Sequence, residues 1–159
     1  MLSSLCLFTA ALTLYRNLAL LTSITTKDLR IHTLRITTFF DIGIFAAGIV
    51  FALLITCDVV SFSEDDEKIL AMTLVSCVII FSGIISPKLP YNKHTGLRLP
   101  WTVQDEDTWN VAHRIIGLIS LPIALLYIAC SLTVSNFKTV TLCAIAAWIG
   151  IPGTISYLF

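Results

Sequence analysis

Residues 92–134 read NKHTGLRLPWTVQDEDTWNVAHRIIGLISLPIALLYIACSLTV and join a polar, densely patterned loop to a long apolar run. The whole chain of 159 residues is 57% hydrophobic and only 13% charged, and its mean hydropathy is +0.91. A soluble domain carries roughly 25% charged residues. The composition therefore excludes an ordinary soluble domain and predicts a membrane protein, in which the polar loop is the best candidate for a functional site.

Five apolar segments predict membrane-spanning helices. A spanning helix needs roughly 20 residues, because the hydrocarbon layer is about 30 Å thick and a helix rises about 1.5 Å per residue. The segments comprise residues 2–21, 37–60, 69–85, 115–134 and 140–159. We therefore predict an all-α integral membrane protein, a bundle of about five transmembrane helices with a structured cytoplasmic loop between helices 3 and 4. It is predicted to form one membrane domain over residues 1–159.

The distribution of basic residues predicts the orientation of this bundle. Basic residues are concentrated after the first segment, at Lys27, Arg30 and Arg35, and after the third, at Lys88, Lys93, Arg98 and Arg114. The other two connections hold only Lys68 and Lys138. Because short cytoplasmic loops are enriched in Lys and Arg, we expect the two basic connections to be cytoplasmic. The N-terminus is then outside the cell and the C-terminus is in the cytoplasm.

The polar loop also carries signals of local structure. Gly96 permits backbone conformations that other residues resist. Thr102 followed three residues later by Asp105 resembles a capping box, and the acidic residues 105–107 suit the positive end of a helix dipole. The pattern therefore predicts a helix that begins near Val103.

Two faces of that helix carry polar and aromatic side chains at four-residue spacing. The first face has Asp105, Trp109 and His113, and the neighbouring face has Glu106, Asn110 and Arg114. Trp109, together with Trp101, is typical of an aromatic belt at a membrane interface. The alternative is a folded cytoplasmic platform in which the Arg98 guanidinium stacks on an indole or pairs with Asp105 or Glu106. Both interpretations remain open at this point.

A family resemblance is carried by eleven residues of this region, which are Asn92, Gly96, Arg98, Pro100, Trp101, Thr102, Asp105, Glu106, Trp109, His113 and Arg114. In type and spacing they resemble the signature of the bacterial SdpI family of membrane proteins. The resemblance implies a location in the bacterial plasma membrane, and it makes these eleven residues candidates for binding a partner. Residues 69–159 fit the family pattern, whereas residues 1–68 resemble it only in being hydrophobic.

The best-known members of that family confer immunity on cells that secrete a membrane-active killing peptide. The resemblance therefore implies an immunity protein whose helices sense or occlude the peptide, and whose loop locks the bundle or docks a cytoplasmic repressor. Membrane lipid, an antimicrobial peptide and a cytoplasmic repressor are the expected partners. The small residues Gly43 and Ala47 are also compatible with a homo-oligomer. The net charge of zero gives no reason to expect direct binding of nucleic acid.

Two other functional classes are weighed against immunity. An enzyme acting on lipid could use His94, His113, Asp105 or Glu106, but the sequence has no HExxH, nucleophile elbow or metal-binding carboxylate cluster. We therefore expect no catalytic residue, no metal and no cofactor. A transporter or exporter accessory subunit is the remaining alternative, because prolines inside the fourth and fifth segments can break helices as transport sites do.

Overall fold

The computed structural model describes residues 2–17, 29–57, 59, 61, 63–92 and 95–159. Every long regular element within these ranges is an α-helix, which confirms the predicted all-α class. The internal contacts divide the chain into two compact units, Met1–Ser63 and Glu64–Phe159. Each unit is described by itself.

In the described residues of the first unit, two helices pack together. Helix α1 is Leu2–Arg16 and helix α2 is Leu29–Thr56, and the two are in contact. The 15 residues of α1 extend about 22 Å, which is less than the hydrocarbon thickness of about 30 Å. In α2, His32–Thr56 is long and apolar enough to cross a membrane. Residues 18–21 of the predicted first span lie outside the described residues.

Helix α2 begins earlier than the predicted second span, which starts at residue 37. Residues 30 and 35, expected in a connection, are instead part of the first turns of this helix. The branched apolar residues between them continue the helix, so the basic residues occupy a helix end rather than a loop. Such an end is where long basic side chains can reach the headgroups of a membrane.

In the described residues of the second unit, three helices pack together, with one of them between the other two. Helix α3 is Glu64–Ile85, α4 is Glu106–Thr133 and α5 is Phe137–Leu158. All three are long and apolar enough to cross a membrane. Helix α4 packs extensively against both neighbours, whereas α3 and α5 barely touch. A short 3-10 helix, Ser86–Lys88, extends α3 and also contacts α4.

Small residues bring α3 and α4 close together. A side chain at Gly83 would collide with Ser120, and one at Gly117 would collide with Pro87. On the other flank of α4, the Trp148 indole N–H donates to Ser120 Oγ at 2.8 Å. Ser120 therefore links all three helices, by close packing on one side and by a hydrogen bond on the other. Small residues and interhelical hydrogen bonds are the usual means by which helices associate in a membrane.

The two prolines in the spans do not interrupt their helices. Pro122 lies inside α4 and Pro152 lies inside α5, and both helices continue past them. Proline is tolerated inside a membrane helix because neighbouring groups satisfy the freed carbonyls.

Helix α5 starts after Asn136, whose side-chain oxygen accepts from Thr139 N–H at 3.2 Å.

We expect Gly117→Ala to destabilise the protein by about 1–3 kcal/mol, because the added methyl group would overpack the contact with Pro87. Gly43→Ala in α2 is the matched control, since a Cβ there has no neighbour within 4 Å. Thermal unfolding of the purified chain in detergent measures both variants. Equal stability of the two would show that α3 and α4 are not packed as described.

Candidate functional site

The site is built by the connection between α3 and α4 together with the first turns of α4. We define the signature loop as residues 89–105, of which residues 93 and 94 are not described. All eleven candidate residues named from the sequence are described. Four of them are buried, Trp101 is half-buried and six are exposed; the buried four are Asn92, Thr102, Trp109 and His113.

An aromatic cluster forms the centre of the site. The Trp109 indole and the His113 ring lie one turn apart on α4 and stack with their centroids 3.9 Å apart. The Tyr91 ring meets Trp109 edge-on at 5.8 Å. Trp109 is 0% exposed and His113 is 2% exposed. Trp109 is therefore a core residue, and the aromatic-belt interpretation does not apply to it.

Gly96 allows the loop to pack closely against this cluster. Its φ of +106° lies in the region that favours glycine, and a side chain there would collide with His113 Nε2 and lie 2.9 Å from Trp109 Cη2. The next residue, Leu97, donates its backbone N–H to His113 Nε2 at 3.1 Å. The loop backbone can approach the two rings this closely only because residue 96 has no side chain.

The hydrogen bonds of His113 define its protonation state. Nε2 accepts the Leu97 N–H, so it carries no proton, and Nδ1 lies 2.8 Å from the Trp109 carbonyl oxygen, to which it donates. This neutral tautomer is assigned from the two partners. Both ring nitrogens are engaged within the protein. His113 therefore acts here as a structural link between loop and helix, and neither nitrogen is free to take a proton from a substrate.

Two further buried side chains satisfy the backbone of the loop. Asn92 Oδ1 accepts from Thr95 N–H at 2.7 Å, and Asn92 Nδ2 donates to the Pro90 carbonyl at 2.8 Å. The Thr102 hydroxyl accepts from Leu99 N–H at 2.9 Å and donates to the Leu97 carbonyl at 2.8 Å. Buried backbone groups are costly when unpaired, so these two side chains fix the path of the loop.

The start of α4 differs from the prediction. The helix begins at Glu106 rather than near Val103, and its N-cap is Asp105 rather than Thr102. Asp105 Oδ2 accepts from Thr108 N–H at 2.7 Å and from Thr108 Oγ1 at 2.6 Å. These hydrogen bonds hold the pKa of Asp105 below its ordinary value. The Thr102 hydroxyl could not serve as the cap because it is occupied by the backbone of the loop.

Trp101 connects the loop to α5. Its indole N–H donates to Ser156 Oγ at 3.1 Å, and its ring meets Tyr157 edge-on with centroids 5.1 Å apart. Leu99 packs on Gly153, where an added Cβ would lie 3.1 Å from its methyl group. The sequence reasoning missed these α5 residues. The small residues in the last turns of an otherwise bulky apolar helix were the signal that could have indicated them.

The remaining signature residues are exposed, and they are Arg98, Pro100, Glu106 and Arg114. Within the described part of the chain, Arg98 makes no hydrogen bond, ion pair or ring contact. The structure thus shows neither the stacking nor the carboxylate pairing considered for Arg98 from the sequence. Glu106, Asn110 and Arg114 are all exposed, as expected for one face of α4.

No three His, Cys, Asp or Glu side chains lie close enough together to hold a metal ion among the described residues. Two buried polar atoms of the site, Trp109 Nε1 and Thr95 Oγ1, have no hydrogen-bond partner there. Trp109 is thus held by ring packing and not through its N–H.

We expect Gly96→Ala to lower stability by about 2 kcal/mol or more, because a β-carbon would strain the positive φ and push His113 and Trp109 aside. Gly150→Ala is the control, since a Cβ at residue 150 meets nothing within 4 Å. Thermal unfolding followed by tryptophan fluorescence measures both. A wild-type melting curve for Gly96→Ala would rule out this packing.

The Asp105 cap predicts a pH dependence of stability. The pKa of Asp105 is lower in the folded state than its ordinary value of 3.8, so its stabilisation is complete above that value and is lost as pH falls through the folded pKa. Asp105→Ser keeps a helix cap without a titrating group. We expect the stability of the wild type relative to Asp105→Ser to fall on acidification. A difference that is constant with pH would contradict this role.

Residues 88–157 match the sequence model of the SdpI/YfhL protein family. This range contains the signature loop, the whole of α4 and nearly all of α5, and thus all eleven signature residues. Comparisons with curated proteins and with solved structures found no match. The loop and the two helices that it joins are therefore the part of this chain that is similar to the SdpI/YfhL protein family.

Proposed function

We propose that this protein protects a bacterial cell from a secreted killing peptide that acts on the plasma membrane. The observation that carries the proposal is the family match over residues 88–157, because the best-known SdpI proteins confer such immunity. The described residues include four helices long and apolar enough to cross a membrane, which supports a location where the peptide acts. The protein is proposed to bind or occlude the peptide, with no catalytic step.

The geometry supports a role in which the loop fastens helix ends together. The loop is joined to α4 through Gly96 and His113, and to α5 through Trp101 and Ser156. A bundle held in this way keeps α4 and α5 in a fixed arrangement at one end. In the proposal, the helices meet the peptide within the membrane and the loop maintains their spacing.

The exposed face of α4 is the proposed surface for signalling. We define the α4 polar ladder as Glu106, Asn110 and Arg114, which are exposed and four residues apart. Charges of both signs at fixed spacing favour selective recognition of a protein partner. The basic residues near the loop support a cytoplasmic location by the positive-inside rule. A cytoplasmic repressor that is held at the ladder would report occupancy of the helices by the peptide.

The competing classes receive less support from the site. The only described histidine of the signature region, His113, has both ring nitrogens engaged within the protein. The prolines that favoured a transporter subunit lie inside continuous helices. Among the described residues, no contact therefore favours lipid chemistry or transport over immunity.

The test of the proposal is expression of the chain in a sensitive bacterium that is then challenged with killing peptide. We expect survival to rise with the amount of protein in the membrane. The triple variant Glu106→Ala, Asn110→Ala, Arg114→Ala should still protect the cell but should no longer retain the repressor at the membrane. Survival counts and the membrane-bound fraction of a tagged repressor measure the two activities separately.

Lys138→Ala, an exposed change in the first turn of α5, is the control and should alter neither activity. Unchanged sensitivity despite good membrane expression would reject the immunity proposal. Normal retention of the repressor by the triple variant would reject the ladder. An alkaline phosphatase fused after Phe159 should be inactive, and an active fusion would reverse the proposed orientation.

A further inference from the structure

An apolar groove runs along one face of α5, beside the signature loop. Its volume is about 510 Å³, within the range of about 300–1,000 Å³ that is usual for ligand pockets. Gly150 and Gly153 form part of its lining on α5, with Leu99, Trp101 and Tyr157 around them. The groove exists because two residues of the helix have no side chain.

The lining offers a ligand only carbon surface. The Trp101 indole N–H is already bonded to Ser156 Oγ, and the Thr154 hydroxyl donates to the Gly150 carbonyl at 2.8 Å. No charged residue lines the groove. With the Trp101 and Thr154 donors bonded within the protein and an almost wholly apolar lining, the groove suits a hydrocarbon chain.

The surroundings of the groove indicate which hydrocarbon it holds. Helix α5 is long and apolar enough to cross a membrane, and Tyr157, 69% exposed, is of the residue type that prefers the membrane interface. Arg98 directly precedes the lining residue Leu99, is exposed and has no partner among the described residues. The backbone of Arg98 therefore lies next to the groove, and its long side chain can reach the phosphate of a lipid held there and bind it through two parallel hydrogen bonds.

We propose that this groove binds an acyl chain of an anionic membrane phospholipid, whose phosphate pairs with Arg98. The lipid fills the space left open at Gly150 and supplies the charged partner that Arg98 lacks among the described residues. The site uses no residue of the α4 polar ladder, so it stands or fails separately from the proposed docking of a repressor, and lipid binding is measured without any peptide present.

Native mass spectrometry of the full chain in detergent, titrated with dioleoyl-phosphatidylglycerol or dioleoyl-phosphatidylcholine, tests the site. We expect one saturable site that binds phosphatidylglycerol about tenfold more tightly, as a charge-assisted hydrogen bond provides. Arg98→Gln should remove this preference by weakening phosphatidylglycerol much more than phosphatidylcholine, because the choline cation already neutralises the phosphate of phosphatidylcholine. Gly150→Leu should fill the groove and weaken both lipids about tenfold, since it excludes methylene groups of the acyl chain.

Gly48→Leu is the matched control, because a Cβ at Gly48 also has no neighbour within 4 Å but lies on α2. It should bind both lipids as the wild type does. If Gly150→Leu does not purify as a folded protein, Thr154→Leu fills the same groove from an exposed position. Unaltered lipid binding by a folded groove-filling variant would overturn the proposal.

Two further results would also overturn it. In the first, Gly150→Leu binds lipid with normal affinity and inorganic phosphate displaces the phosphatidylglycerol. This result would mean that Arg98 binds an anion without help from the groove. A change of oligomeric state on filling the groove, without a change in lipid affinity, would mean that a second copy of the chain occupies it.

Discussion

The close packing of Gly96 on Trp109 and His113 is the contact on which the loop depends. It sets the backbone of residues 95–97 directly against the first turns of α4, and the hydrogen bond from Leu97 to His113 fixes the register of that approach. The buried Asn92 and Thr102 then satisfy the backbone on either side. If residue 96 carried a side chain, the rings would have to move and both sets of hydrogen bonds would lose their geometry.

The family signature is thus two patterns superimposed on one stretch of chain. One pattern is structural and consists of the residues that close the loop, such as Gly96, Thr102, Trp109 and His113. The other is exposed and comprises Arg98, Pro100, Glu106 and Arg114. The distinction matters for mutagenesis, because loss of function in the first group reports on folding. Only the second group can report directly on partners.

Much of the fold was predictable because membrane helices need long apolar segments, which composition makes visible. The predicted bounds of the third, fourth and fifth segments agree with helices α3, α4 and α5 within a few residues, except that α3 and α4 begin earlier, with polar first turns. The predicted helix start near Val103 was wrong for a physical reason. A sequence shows that Thr102 and Asp105 can both cap a helix, but it does not show which of the two side chains is already bonded elsewhere. The four-residue spacing correctly predicted that Trp109 and His113 share a face.

Contacts between distant parts of the chain could not be predicted in the same way. Ser156 and Tyr157 looked like ordinary residues of an apolar helix, and only the folded structure brings them to Trp101. Similarly, Gly83 and Gly117 are informative only once α3 and α4 are seen to approach each other there. Periodicity describes one helix at a time, whereas these contacts depend on how helices are arranged.

The bond between Trp101 and Ser156 also has a consequence for biogenesis. The two residues are 55 positions apart, so Trp101 leaves the ribosome well before its partner exists. At about 5–20 residues per second, synthesis of that interval takes on the order of several seconds. During this time the loop can close on α4 but not on α5. Final assembly of the loop therefore waits for insertion of the last helix, and a delay in that insertion leaves the Trp101 indole exposed to membrane chaperones and proteases.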